Sequence, residues 1–235
     1  MNENLFRDFY VEFHNKKHKY GKTSDKRADI IKETIGSGKR VLDLGCRDGS
    51  LTKYYVGNNE VVGVDIDDVA LSICKKNLGI QTFHMDLNEP LLFDDSSFDV
   101  VVAGEIIEHL IFPELFIKEI YRVLKSKGTF CGSTPNITHM KNRIQFLFGR
   151  TPCFDYAGHL RFFDDAAHLR YFSYNTLKLF LERYFHKVNI TPYGGHIIGN
   201  KKHGVFKFGI SVTEKTPLWL GKLFSENLFW KAVKR

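Results

Sequence analysis

Short apolar runs alternate with amphipathic stretches over residues 26–135. Five of the runs predict buried strands, because glycine or polar residues bound each of them: KRVLDLG, EVVGVDID, IQTFHMD, FDVVVAG and KGTFCGSTP. Between them, apolar side chains recur at helical spacing in ADIIKETI, SLTKYYVG, DVALSICKKNL and EIIEHLIFPELFIKEIYRVL. We expect Gly79 to close the third helix and Pro113 to introduce a break or a restart in the fourth. Strands that alternate with helices predict an α/β fold with a parallel sheet covered on both faces.

The alternation stops at Pro135 and resumes near residue 174. We interpret residues 1–25 as a leader, 26–135 as the core and 136–173 as an insertion over the carboxyl ends of the strands. In residues 174–235, the helix NTLKLFLERYF and the strand HKVNITPY precede a second excursion at 194–225, and ENLFWKAVKR supplies the last strand. The prediction is a single domain over residues 1–235, built on a seven-stranded, mostly parallel sheet.

Composition and charge indicate which partners and which cell compartment the protein suits. The 235 residues carry a formal net charge of +7, which suits an anionic partner such as nucleic acid or a lipid surface. The amino terminus lacks the apolar core of a secretory signal, and no run of about 18 apolar residues predicts a membrane span. We therefore expect a cytoplasmic protein, with peripheral membrane contact left open. The four cysteines form no C-x-x-C pair, which favours reduced thiols over a zinc site or disulfides.

The stretch GEIIEHL, residues 104–110, follows the fourth predicted strand. If a helix begins near Gly104, then Glu105, Glu108 and His109 stand at i, i+3 and i+4 and share one face. This spacing is suitable for metal ligands. The same residues are also consistent with acidic side chains at the positive end of a helix dipole, and on this stretch alone that reading is favoured.

The sequence VLDLGCRDGS predicts a glycine turn between the first strand and the next helix. Gly45 and Gly49 free the backbone there, so that a ligand can approach main-chain N–H groups. Asp65 ends the second strand about 20 residues later, where a carboxylate can accept both hydroxyls of a ribose. Asp86 ends the third strand. All of these features fall at the carboxyl ends of strands, where open α/β sheets bind ligands.

Residues 38–190 resemble the class I S-adenosylmethionine-dependent methyltransferases. Their first motif, D-x-G-C-G-x-G, is matched at Asp43, Gly45, Cys46 and Gly49, while Arg47 replaces the middle glycine. LKSKGTFCGSTPN resembles their fifth-strand segment. The resemblance implies a Rossmann-like fold with an inserted lid and S-adenosylmethionine as cofactor. It implies a cofactor site of Asp43, Gly45, Cys46, Arg47, Gly49, Asp65, Ile66, Asp86, Leu87 and Glu105, in which Arg47 faces the methionyl carboxylate.

The E-x-x-E-H stretch is similar to two groups within that class: ubiquinone-biosynthesis O-methyltransferases and small-RNA 3′-terminal 2′-O-methyltransferases. Similarity to the second group implies a metal site of Glu105, Glu108, His109 and His168, with His159 as the competing fourth ligand. Such a set accepts Mg²⁺ or Mn²⁺, and a bound cation lowers the pKa of a hydroxyl. Alternatively, His109 or His168 acts as a metal-free general base supported by Glu108.

The resemblances leave three functions open. PNITHMKNRIQFLFGRTP and HLRYFSYNTLKLFLERYF resemble methyltransferases found among bacterial surface-polysaccharide enzymes. We therefore expect S-adenosylmethionine-dependent O-methylation of a sugar, glycan-related or small-molecule acceptor. An RNA 2′-O-methyltransferase is the first alternative, which would use the basic clusters at 16–22 and 200–207. Similarity of PNITHMKNRIQFLFGRTP to the methionine-biosynthesis protein W family suggests a second, a cofactor-binding regulatory partner. Acceptor contacts would come from Asn136, Arg143, Arg161 and Arg170, unless these residues only hold the lid in place.

Overall fold

Seven strands form one sheet in the order β3-β2-β1-β4-β5-β7-β6. The computed structural model describes residues 25–149, 168–195 and 215–235. Only β7 runs against its neighbours, so the sheet is mostly parallel, as predicted. The strands are β1 (Arg40–Leu44), β2 (Glu60–Asp65), β3 (Gln81–His84), β4 (Phe98–Gly104), β5 (Leu124–Pro135), β6 (His186–Tyr193) and β7 (Asn227–Val233).

Helices cover both faces of the sheet. Val41 of β1 packs in one apolar cluster with Ile31, whereas the next residue, Leu42, packs in the opposite cluster with Ile117. This alternation follows from the two-residue period of a strand. The described helices are α1 (Asp25–Ile35), α2 (Asp68–Leu78), α3 (Pro113–Val123), α4 (Met140–Leu147), α5 (Tyr174–Glu182) and α6 (Leu218–Phe224). None of these helices is both long and apolar enough to cross a membrane.

Local sequence signals set the ends of α2. The Asp67 carboxylate accepts the backbone N–H groups of Val69 and Ala70, each at 3.0 Å, so that it caps the start of the helix. Gly79 follows the helix with φ +67°, and its N–H bonds to the Lys75 carbonyl. A glycine tolerates that left-handed conformation, which confirms the predicted end of this helix.

One predicted helix is replaced by 3₁₀ turns, and another begins later than expected. SLTKYYVG forms two short 3₁₀ turns, Thr52–Tyr54 and Val56–Asn58, because the Thr52 and Tyr55 hydroxyls are drawn to the buried Asp43. Residues 104–112 form a single 3₁₀ turn, Ile107–His109, and α3 begins only at Pro113. Of the break or restart expected at Pro113, the structure shows the restart: the proline begins α3, a position where the missing N–H costs nothing.

The remaining segments fall partly outside the described residues. Residues 150–167, which hold His159 and Arg161, make up the middle of the predicted insertion. The predicted leader, the strand-like VFKFGISV and both basic clusters also lie outside the described ranges.

Candidate active site at the carboxyl ends of the strands

The turn after β1 has the backbone shape that its glycines predict. Gly45 and Gly49 have φ values of +79° and +77°, a region that other residues rarely adopt. A Cβ atom at Gly45 would overlap the Ile106 side chain, so this turn lies directly against the segment that follows β4. A Cβ atom at Gly49 would stand 2.9 Å from the Cys74 sulfur. Both glycines are thus required by conformation and by space.

The buried side chains of Asp43 and Cys46 support this turn. Asp43 is 2% exposed and accepts the Thr52 hydroxyl at 2.7 Å and the Tyr55 hydroxyl. Burial raises the pKa of the Asp43 carboxyl. The Cys46 side chain is also buried, and a Cβ atom on Gly63 of β2 would lie 2.7 Å from its sulfur. The side chains of these two predicted cofactor residues are therefore buried in the protein next to the turn, and they support its backbone.

Asp65 connects the turn to the end of β2. Its carboxylate accepts the Arg47 N–H at 2.9 Å and the Asp67 N–H at 3.0 Å. Arg47 stands in the left-handed region with φ +46°, so the bond to Asp65 holds the turn in a strained conformation. Burial raises the pKa of Asp65 to about 6. Ile66 follows it, half-buried, and its carbonyl lies 3.0 Å from the His84 ring nitrogen.

Asp86 lies in the loop after β3. It is exposed, and one carboxylate oxygen accepts the Asn88 backbone N–H at 2.8 Å and the Asn88 side-chain amide at 3.0 Å. The Asn88 side chain in turn accepts the Ile111 N–H at 2.9 Å. Leu87, between Asp86 and Asn88 in sequence, packs against the apolar core. This loop is therefore fastened to the chain between β4 and α3.

Glu105 does not share a helical face with Glu108 and His109. Its φ is +60°, so the i, i+3, i+4 helical face expected for Glu105, Glu108 and His109 does not form. The Glu105 carboxylate accepts the Ser133 hydroxyl at 2.6 Å and lies 3.5 Å from an Arg27 guanidinium nitrogen. Its N–H bonds to the Ser133 carbonyl at 2.8 Å. The neighbouring strand β5, rather than local propensity, holds this residue.

The left-handed backbone at residue 105 gives a stability prediction. Replacing Glu105 with glycine or with alanine removes the same side-chain contacts, but only glycine relaxes the backbone. We expect Glu105→Gly to be more stable than Glu105→Ala by about 1 kcal/mol in denaturant unfolding. This order is the reverse of that in ordinary helical or extended positions. Equal stability of the two variants would contradict the strained conformation.

Glu108, His109 and His168 come together. Each offers one ligand atom, and these atoms all lie within 4.8 Å of one another. Glu108 is 1% exposed, accepts the Thr134 hydroxyl at 3.0 Å, and has its second oxygen 4.0 Å from the His168 ring nitrogen. Burial, aided by the nearby Glu105 charge, raises the pKa of Glu108 well above its usual range. The two imidazole rings are 4.8 Å apart between centroids.

Backbone bonds hold His168 at this position. The Glu108 carbonyl accepts the N–H groups of Leu169 and Arg170, at 2.8 and 2.9 Å. The Arg170 guanidinium donates to the Ile111 carbonyl at 2.9 Å. The chain that enters α5 is therefore fastened to the 3₁₀ turn, so His168 reaches Glu108 although 60 residues separate them in sequence.

The residues predicted to contact an acceptor have structural partners where they are described. Asn136 is buried, and its amide donates to the Lys222 and Ser225 carbonyls at 3.1 and 3.0 Å, which ties β5 to α6. The Arg143 side chain donates to the Thr138 carbonyl at 2.6 Å. The side chains of Asn136 and Arg143 thus bond to nearby backbone carbonyls, and Arg170 likewise donates to the Ile111 carbonyl. These contacts favour a structural role for the three residues.

Sequence reasoning missed several groups around Glu105 and Glu108. Ser133 and Thr134 supply the hydroxyls that bind the two carboxylates, and Arg27 places a cation 3.5 Å from Glu105. Tyr193, at the end of β6, is buried, and burial raises the pKa of its phenol. The S-T-P segment at the end of β5 was a usable signal for the hydroxyls. No pattern along the chain pairs Arg27 with Glu105, since α1 and β4 meet only in the folded molecule.

Comparisons with known proteins agree with this geometry. Residues 42–132 match the family model described as a methyltransferase domain. The chain is 33% identical over 128 residues to the mitochondrial ubiquinone biosynthesis O-methyltransferase of Mus musculus, covering 48% of this chain and 33% of that protein. It is 31% identical over 106 residues to the ribosomal protein L11 methyltransferase of Enterococcus faecalis, covering 43% and 33%. The chain thus spans only between a third and a half of such relatives.

Solved structures share the fold. A SAM-dependent methyltransferase from Archaeoglobus fulgidus superposes with a TM-score of 0.62 at 22% identity, over 97% of this chain and 100% of that one. A Thermotoga maritima protein described as a SAM-dependent methyltransferase, possible histamine N-methyltransferase, gives 0.65 at 15% identity, over 97% and 99%.

The fold is the one that these methyltransferase structures share, a seven-stranded, mostly parallel sheet with helices on both faces. The glycine turn after β1 and the buried acid that ends β2 lie where such open α/β sheets bind ligands. Residues 42–132 match the methyltransferase domain model, and S-adenosylmethionine is the cofactor expected of that family. The matched range contains every predicted cofactor residue together with Glu108 and His109.

Proposed function

We propose that this chain transfers a methyl group from S-adenosylmethionine to a hydroxyl oxygen of a sugar, glycan-related or small-molecule acceptor. One observation carries the proposal: Gly45 of the cofactor turn lies against Ile106, immediately before the 3₁₀ turn with Glu108 and His109. A donor bound at the glycine turn and an acceptor at the histidines would therefore share one edge of the sheet. Methyl transfer needs this proximity, because oxygen, carbon and sulfur must align for in-line displacement.

The cofactor would lie across the ends of β1, β2 and β3. The turn from Gly45 to Gly49 offers backbone N–H groups, and Asp65 offers a carboxylate to the two ribose hydroxyls. Asp86 would meet the adenine edge, with the half-buried Ile66 and Leu87 against the rings. The guanidinium groups of Arg47, in the turn, and of Arg27, 3.5 Å from the Glu105 carboxylate, could donate to the methionyl carboxylate.

The histidines supply the base in this proposal. As the acceptor oxygen attacks the methyl carbon, its proton passes to a ring nitrogen of His109 or His168, and the carbon–sulfur bond breaks to leave S-adenosylhomocysteine. Glu108 would orient the His168 ring, since its second oxygen lies 4.0 Å from the ring nitrogen. The ubiquinone biosynthesis relatives are O-methyltransferases by name, which supports oxygen as the acceptor atom.

Cofactor binding should weaken in mild acid. Asp65 has a pKa of about 6, and a ribose hydroxyl bonds best to its ionised form, so protonation competes with binding. We expect S-adenosylmethionine affinity to be constant above pH 7 and about tenfold lower at pH 5, because roughly one Asp65 in ten is then ionised. Calorimetric titrations from pH 5 to 8 measure this dependence.

Asp65→Asn is the control for this pH dependence. It should bind the cofactor weakly at every pH and give a flat profile, since the titrating group is gone. A wild-type affinity that does not change between pH 8 and pH 5 would contradict the assigned role of Asp65.

A divalent cation is a second possibility at the same cluster. Glu108, His109 and His168 each offer one donor atom within 4.8 Å of the others, a carboxylate and imidazole set that suits Mn²⁺ better than Mg²⁺. Glu105, the remaining ligand that the resemblance implied, is engaged by Ser133 and Arg27 instead. A bound cation would lower the pKa of the acceptor hydroxyl, and Glu108, His109 and His168 would hold it.

Labelled methyl transfer into cell extracts tests the proposal. S-adenosylmethionine with a labelled methyl group is incubated with the protein and an extract, which is then separated into RNA, carbohydrate, lipid and small-molecule pools. Label in carbohydrate, lipid or small molecules supports the proposal, and label in RNA favours the 2′-O-methyltransferase. Loss of label with a chelator, restored by Mn²⁺, supports the metal. Cofactor binding without label in any pool favours a regulatory partner.

A further inference from the structure

Helix α4 carries apolar side chains that the protein leaves exposed. None of its eight described residues is buried. Leu147 is 80% exposed, Ile144 is 48% exposed, and Phe148, which follows the helix, is 74% exposed. Burying a leucine or phenylalanine side chain is favourable by about 1.5–3 kcal/mol, so such a concentration in one short helix points to a partner surface.

The apolar side chains form a stripe with cations on both flanks. Met140, Ile144 and Leu147 stand at i, i+4 and i+7, so they project from one face of α4. Lys141 follows the first of these residues and Arg143 precedes the second, which places one exposed cation on each side of the stripe. An apolar face bordered by lysine and arginine is the pattern of helices that lie in a membrane interface.

The position of α4 relates the stripe to the candidate active site. The helix begins five residues after β5 ends, on the same edge of the sheet as the glycine turn. Asn136 joins the chain before α4 to the end of α6 through the Ser225 carbonyl. Helix α6 starts with two further exposed apolar residues, Leu218 at 48% and Trp219 at 68%. Tryptophan is favoured at membrane interfaces because its ring is apolar and its N–H is polar.

We propose that α4 lies on an anionic lipid surface, with the carboxyl edge of the sheet towards the membrane. The apolar stripe would enter the boundary between headgroups and acyl chains, while Lys141 and Arg143 pair with lipid phosphates. The net charge of +7 increases the attraction to such a surface. The apolar stripe distinguishes this occupant from RNA, which needs cations but not exposed leucine.

Vesicle flotation with the full chain tests this surface. The wild type should float with vesicles of phosphatidylcholine and phosphatidylserine and stay in solution with phosphatidylcholine alone. Leu147→Asp should reduce flotation roughly tenfold, because it places a charge in the apolar stripe. Lys141→Glu combined with Arg143→Glu should remove the preference for anionic vesicles. None of these measurements needs cofactor or acceptor, so the outcome is independent of the proposed function.

Leu92→Asp is the matched control. Leu92 is 81% exposed, and its loop is tied through Leu91 to Arg122, at the opposite edge of the sheet. It should float like the wild type, and circular dichroism should show both leucine variants to be folded. Three results would overturn the proposal: no flotation of the wild type, equal flotation of the two leucine variants, or capture by RNA that Lys141→Glu with Arg143→Glu abolishes and Leu147→Asp does not.

Discussion

Replacing His168 with alanine is expected to lower the methyl-transfer rate by about 10²–10⁴-fold while leaving S-adenosylmethionine affinity nearly unchanged. The imidazole lies beside Glu108 and His109, two residues that follow β4, whereas the glycine turn follows β1. The variant should therefore lose acceptor activation and keep the cofactor site. Single-turnover transfer into the labelled pool, together with calorimetric titration of the cofactor, measures the two effects separately.

His186→Ala is the control for this variant. His186 begins β6 at the other edge of the sheet and is exposed, so its loss should change neither property. Added imidazole should partly restore transfer by His168→Ala if the ring acts as a base, whereas chelator sensitivity of the wild type would point to a metal ligand. Full activity of His168→Ala would contradict both roles.

Replacing Gly45 with alanine is expected to abolish detectable cofactor binding and to lower the free energy of unfolding by about 2–4 kcal/mol. The new methyl group would overlap Ile106, and the residue would have to keep φ near +79°. Both effects displace the turn that would meet the cofactor. Denaturant unfolding and calorimetric titration of S-adenosylmethionine measure them.

Alanine substitutions at two other glycines separate backbone strain from steric overlap as causes of the lost stability. Gly38 has φ +68° but open space around its Cβ position, so Gly38→Ala should show only the backbone strain, about 1 kcal/mol. Gly57 has open space and no left-handed φ, so Gly57→Ala should be neutral or slightly stabilising. If Gly45→Ala resembled Gly57→Ala in stability and bound the cofactor normally, the turn would not be the cofactor site.

The sheet could be predicted because its strands carry their own signal. β1, β2 and β4 are short apolar runs bounded by glycine or acidic residues, and α2 has a capping Asp67 and a terminal Gly79. These features are local, so they can be read along the chain. The reversed direction of β7 was not predicted from its pattern, since pairing direction depends on its neighbours in space.

The segment after β4 could not be predicted, because distant residues determine it. A regular helix from Gly104 looked favourable by spacing, yet Ser133 of β5 holds Glu105 in the left-handed region. The partner of Glu108 also comes from elsewhere, since backbone bonds fasten His168 to the 3₁₀ turn. The sequence grouped Glu108, His109 and His168, which do lie close together, but it expected a helix that does not form. Glu105 of the expected ligand set binds Ser133 instead.

Calorimetric titration of the full chain with S-adenosylmethionine is the most direct test of the central claim that the carboxyl ends of β1 and β2 form a cofactor site. The account predicts saturable binding at a single site, weakened by Asp65→Asn and lost in Gly45→Ala, with Gly57→Ala like the wild type. Absence of binding by a wild-type chain that circular dichroism shows to be folded would contradict it. So would binding that neither Asp65→Asn nor Gly45→Ala affects.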